Sequence, residues 1–234
     1  MMPALHLISG GAAQGLVGQL AARFRADTGL DIEGTFGAVG LMKDKLLSGA
    51  PCDVVILTDA LIAELKSEGH VVSGSARVVG VVRTAIAVKV GQSLPAVDSA
   101  AALSTLLRRV SGIYFPDPVK ATAGIHFMKV LKTLGLHDEL SDRLRPFPNG
   151  ATAMREMARA VSSDLVGCTQ VTEILYTPGV QLVAALPKEF ELATVYTAAV
   201  CSGAADRSGA AQLVRLLCSD EIGPLRKAGG FELN

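Results

Sequence analysis

Most of the residues in this chain that can do chemistry favour an anion. Arg83 stands in the run VVRTAIAV, with apolar neighbours on both sides. A guanidinium in such surroundings needs an anionic partner, and its planar fork fits a carboxylate. Thr84 adds a hydroxyl beside it. Lys120, Thr122 and His126 cluster around the start of a helix-like segment, with Ala123 between them. Lys120 can clamp a carboxylate or take up a proton. His126, in the first turn, can act as a base in its neutral form. Asn149 opens another helix, and Thr169 with Gln170 opens a third. Each residue also has a plainer reading: Arg83 as an edge-strand surface residue, Lys120 as a solvated loop residue, His126 as half-buried packing, and Thr122 and Asn149 as caps. His6, His70, His137 and Asp117 read as structural.

The elements that must hold these groups alternate between strand and helix. Leu5–Ile8 is an apolar strand, followed by the small-residue turn Ser9-Gly10-Gly11-Ala12-Ala13 and a helix through Leu16, Leu20 and Phe24. Backbone N–H groups at such a helix start lack intrahelical partners and make an anion site, to which the Ser9 hydroxyl can add. Gly10 and Gly11 allow close backbone approach. The theme recurs at Gly37-Ala38-Val39-Gly40, Lys120–Gly124 and Asn149–Thr152. Asp31–Phe36 and Cys52–Leu57 read as further strands, with Asp59 as a helix cap. Val78–Val90 is a strand interrupted at Arg83-Thr84, Leu165–Cys168 a strand ending before Thr169, and Gly135 a helix C-cap. The βαβαβα opening predicts a parallel α/β sheet.

Composition narrows the function further. The chain has 234 residues, half of them hydrophobic, and zero formal net charge. No basic run favours nucleic acid, and there is no Trp and few aromatics for stacking on bases. No apolar run reaches the ~20 residues of a membrane span. Cys52, Cys168, Cys201 and Cys218 are widely spaced without CxxC pairing. They read as small buried hydrophobes suited to a reducing compartment, with no metal-ligand spacing and no cofactor motif. Met1-Met2-Pro3 leads straight into the first strand without a signal peptide. The expected location is cytoplasmic if Met1 is the native start, and periplasmic if a signal has been removed.

The pattern LISGGA…FRADTGLDIEGTFGAVGLMKDKLLSGAPCDVVILTDA resembles the first lobe of molybdate-type periplasmic binding proteins. Tyr114-Phe115-Pro116-Asp117-Pro118 with Ala123-Gly124-Ile125 resembles that family's second lobe, and Val195–Val200 its return strand. The resemblance implies a two-lobe α/β fold of the type II periplasmic binding protein kind, each lobe a mostly parallel sheet flanked by helices, with the ligand in a cleft between them. Residues 1–80 with 195–234 would form lobe 1 and residues 81–194 lobe 2. The family holds its oxyanion by backbone N–H groups, hydroxyls from the first two turns, and a Tyr. In this chain those positions read as Ala12, Ala38-Val39 and Gly167, which lack the hydroxyls. Arg83, Lys120 and the helix starts suit an organic di- or tricarboxylate better than a bare oxyanion. Aconitate isomerases resemble the same family, so a cofactor-independent isomerase using Lys120 or His126 is the alternative, and a molybdate receptor is the second. ABC transporter membrane subunits would be partners only of an exported protein.

Overall fold

The computed structural model describes residues 3–233. The chain opens with strand β1 (Ala4–Gly10), a 3-10 turn (Gly11–Ala13), helix α1 (Gln14–Thr28), β2 (Asp31–Gly37), α2 (Val39–Leu47), β3 (Val54–Thr58) and α3 (Asp59–Ser67). Next come β4 (Arg77–Lys89), α4 (Ala100–Arg109), β5 (Gly112–Pro116), α5 (Thr122–Thr133), β6 (Leu144–Phe147) and α6 (Gly150–Arg159). It closes with β7 (Leu165–Gln170), α7 (Val171–Leu175), β8 (Val180–Ala185), β9 (Ala193–Val200), α8 (Arg207–Cys218) and α9 (Gly223–Ala228). The chain divides into two compact units. Unit 1 takes it up to Val82 and again from Thr194, and unit 2 takes Arg83–Ala193.

In unit 1 the strand order is β2-β1-β3-β9, with β1, β2 and β3 parallel and β9 antiparallel to β3. Leu7, Val54, Ile56, Leu57, Leu20, Phe24 and Leu65 are buried in its core. The near-continuous apolar strands require cover on both faces, which the helices supply. Asp53, just before β3, ties the unit's two chain segments together. Its carboxylate accepts backbone N–H bonds from His6 at 2.8 Å, Ala205 at 2.7 Å and Asp206 at 3.3 Å. Parallel pairing brings Gly10, Gly37 and Thr58, the C-terminal ends of β1, β2 and β3, to one edge.

In unit 2 the order is β8-β4-β7-β5-β6. Strands β5, β6 and β7 are parallel, and β4 is antiparallel to β7. The antiparallel β4 therefore brings Arg83 and Thr84 to the edge where β5, β6 and β7 end, and Thr84 pairs directly with Gln170. Phe115 of β5 meets Phe127 of α5 edge-on, with centroids 5.5 Å apart, and both are buried with Leu131, Leu103 and Leu107.

Several local expectations change. β4 continues unbroken through Arg83-Thr84, and Thr84 pairs with Gln170 in the ladder. Thr169 and Gln170 are the last residues of β7, and Gln170 is also the N-cap of α7, which starts at Val171. Ser9 lies inside β1. Asp59 is the first residue of α3, where it accepts the Thr197 hydroxyl at 2.8 Å, and Thr58 takes the cap position. Leu134 is the C-cap of α5, and Gly135 follows it at φ 68°, the left-handed conformation that glycine tolerates. The cysteines are not all isolated: the sulfurs of Cys52 and Cys201 are 3.3 Å apart.

Candidate functional site

The edge of unit 1 gathers Ser9, Gly10, Gly11, Ala12, Ala38 and Val39, all buried. Gly10 is demanded by packing, since a Cβ there would press on the Val39 and Tyr196 side chains. The Ser9 hydroxyl donates to its neighbour's carbonyl, Gly10 O, at 2.8 Å. No side chain caps the 3-10 turn leading into α1, and none caps α2, whose N-cap is Ala38. The first N–H groups of these elements therefore receive no side-chain acceptor from the cap position.

The edge of unit 2 carries the stronger chemistry. Arg83 is ion-paired with Glu191, and both side chains are about one-third exposed. Thr84 N donates to Leu192 O at 3.0 Å. His126 Nε2 lies 2.7 Å from Phe190 O. A carbonyl only accepts, so Nε2 carries the proton, and in the neutral ring Nδ1 is left with its lone pair. The segment Phe190–Leu192 thus collects His126, Arg83 and Thr84. The Thr84 hydroxyl and both amide atoms of Gln170 are buried without a hydrogen-bond partner, as is the Thr172 hydroxyl. Buried polar atoms are normally paired, so an orphaned cross-strand pair marks a place where a partner is missing. Helix α5 also begins at this edge. Its N-cap is Ala121, it has no side-chain cap, and Thr122 and Ala123 are its first residues. Lys120 is exposed just before it, with its own N–H bonded to Asp117 Oδ1.

Three expected contributors behave differently. Asn149 caps α6, its Oδ1 accepting from Thr152 N at 2.8 Å. Thr169 donates to the buried Glu173 carboxylate at 2.5 Å. That carboxylate also accepts from the backbone of Ala151, Gln170 and Gly150, so the start of α6 is already filled by an acid from the same chain. Gly167 sits mid-strand, where a Cβ would run into Met154 and Met157, so this position faces the core.

Burial raises the Glu173 carboxyl above its ordinary value of 4.5, and the hydrogen bonds from Thr169 and the backbone only partly offset it. An acid raised in the folded state contributes most to stability below its unfolded value. That contribution is lost as pH rises through the folded value. Stability is therefore expected to fall as pH climbs from about 4.5 into the range just above, and Glu173→Gln should flatten that limb. Urea titrations of both proteins across this range check it, and parallel profiles would contradict it.

Residues 5–232 match the family described as bacterial extracellular solute-binding protein. The chain belongs to that family. It is 23% identical over 239 residues to an aconitate isomerase from a Pseudomonas species, covering 97% of this chain and 87% of the relative. It is 24% identical over 189 residues to the molybdate-binding protein ModA of Escherichia coli (strain K12), covering 79% and 72%. Among solved structures, the periplasmic molybdate-binding protein of Azotobacter vinelandii superposes with a TM-score of 0.80 at 20% identity, covering 98% of this chain and 99% of that one. The fold is that of the type II periplasmic binding proteins. Among the described residues, no helix of this solute-binding protein is long and apolar enough to cross a membrane.

Glu173, Glu191 and Tyr196 were not visible as site neighbours in the sequence. No motif or spacing singles out Glu191 or Glu173. Only the ladder and the 188–192 segment bring them to Arg83 and to the start of α6.

Proposed function

We propose that this solute-binding protein recognises a small organic acid carrying two or three carboxylates. The observation that carries this reading is the division among helix starts. Side chains cap α4, α6 and α8 through Ser99, Asn149 and Asp206. No side chain caps the lead-in to α1, or α2, α3, α5 or α7, which begin where the parallel strands end. An uncapped start of this kind favours a small anion. Gln170 and Thr84 refine the choice. Gln170 offers an acceptor as well as donors, which suits a ligand bearing a hydroxyl or a protonated oxygen beside anionic ones. A bare tetrahedral dianion only accepts. Membrane components of a transporter are the partners this reading implies.

Two further readings each have an observation behind them. Glu191 neutralises Arg83, which leaves chiefly neutral dipoles, and these suit molybdate, the ligand named for the ModA relative. His126, with Nδ1 unprotonated in its neutral form and the first turn of α5 beneath it, suits proton transfer of the kind an aconitate isomerase performs, and such an enzyme is the other relative.

Thermal unfolding with citrate, cis- and trans-aconitate, malate, molybdate, tungstate and sulfate separates these readings. A carboxylate at a hundredfold excess over its Kd should raise Tm by about 5–10 °C. Stabilisation by molybdate or tungstate with none by any carboxylate would sink the organic-acid reading. Incubation with trans-aconitate in deuterated water, followed by proton NMR, tests the enzyme. Neither cis isomer nor deuterium incorporation would rule out that substrate.

A further inference from the structure

We propose that Cys52 and Cys201 are a redox pair that closes to a disulfide and staples the two chain segments of unit 1. Cys52 immediately precedes Asp53 and β3, and Cys201 immediately follows β9. One belongs to the segment before unit 2 and the other to the segment after it. The antiparallel pairing of β3 with β9 continues past the strand ends, with Cys201 N donating to Asp53 O at 2.9 Å. This register brings the sulfurs to 3.3 Å, although the residues are 149 positions apart. Disulfide formation needs a closure of only about 1.2 Å from there.

Both cysteines are buried, yet they border a cavity. Cys52 and Cys201 line a cavity of about 260 Å³ together with His70, Pro51 and Gly203. A peroxide fits such a space, and the exposed His70 marks its open side. The contact with the Cys52 sulfur, and then burial, push the Cys201 thiol up, so Cys201 stays protonated and serves as the resolving group. Hydrogen peroxide is the oxidant. Cys52 sulfur attacks one peroxide oxygen, the O–O bond breaks, and Cys52 becomes a sulfenic acid with release of water. Cys201 sulfur then displaces the hydroxyl from Cys52, forming the S–S bond and a second water. Cys168 is packed in the core of unit 2, and Cys218 lies beside the Arg77 carbonyl.

The pair lies at the ends of β3 and β9 opposite to the edge that gathers Gly10, Gly37 and Thr58, so this chemistry is independent of the anion reading. The test is to treat the reduced wild-type protein with hydrogen peroxide, alkylate the free thiols and map the peptides by mass. The expected product links the Cys52 and Cys201 peptides with loss of two hydrogens and is reversed by dithiothreitol. The closed loop spans most of the chain, so oxidation should raise Tm on the order of 10 °C, and Cys201→Ser should abolish both the link and the rise. Three results would overturn the proposal: both thiols still alkylated after peroxide, oxidation that stops at sulfinic acid on Cys52, or links that involve Cys168 or Cys218. The peptide map on the wild type decides the matter even if the variant folds poorly.

Discussion

Gly124→Ala is expected to destabilise unit 2 by about 3 kcal/mol and to remove anion binding. Gly124 is buried in the first turn of α5. An added Cβ would overlap the carbonyl oxygens of Pro116 and Asp117, which are backbone atoms at the end of β5. Backbone cannot turn aside as a side chain can, so either the helix start or the strand end must shift. The rest of α5 resists that shift, because Phe127, Val130 and Leu131 are locked in the main core of unit 2. The strain therefore falls on Ala121–Ala123, where the uncapped N–H groups are. Urea denaturation should show the loss, and every anion that stabilises the wild type should fail to stabilise the variant. A fully stable variant with unchanged anion affinity would mean that the close approach of α5 to β5 is dispensable.

The same residues show why part of the architecture can be read from sequence and part cannot. β3 is legible because a strand covered on both faces must be apolar throughout, as Val54–Leu57 is, and β1 because Leu5, Leu7 and Ile8 are apolar and buried around His6. Helix ends such as Gly29, at φ 74°, are legible because few other residues tolerate that backbone. The family resemblance rests on such local features, and so it holds along the chain. Thr169 and Gln170 read as a helix start because short polar residues after an apolar run usually are one, and Gln170 does cap α7. Their place in β7 is decided by Thr84 and Ala85, far away in sequence. Arg83 was legible as a residue needing an anion, but the anion it meets in the structure is Glu191, which no spacing rule connects to it. Cys52 and Cys201 escaped for the same reason, since only the register of β9 against β3 joins them. Asn149 was recognisable as a helix-start donor, whereas the carboxylate of Glu173 that fills the start of α6 was not.

Arg83→Ala is expected to lower carboxylate affinity by at least about a hundredfold while leaving the fold intact. The fold should survive because Arg83 and Glu191 are each about one-third exposed, and ion pairs so open to water contribute little to stability. Affinity is another matter, since a bidentate guanidinium–carboxylate contact is among the stronger polar interactions available to a ligand. Glu191 competes for the same guanidinium. Glu191→Gln keeps the shape and removes the competing charge, so it should tighten carboxylate binding, by up to about fivefold if the pair is worth what exposed pairs usually are. The double variant should bind as weakly as Arg83→Ala, because Glu191 acts on the ligand only through Arg83. Calorimetric titration of the three variants with the anion that stabilises the wild type checks this order. A brace that merely holds the 188–192 segment against β4 predicts something different: both single variants would lose stability equally and keep their affinity. That outcome would remove Arg83 from the site and leave the neutral donors of unit 2, Thr84, Gln170 and the uncapped start of α5, to hold the anion alone.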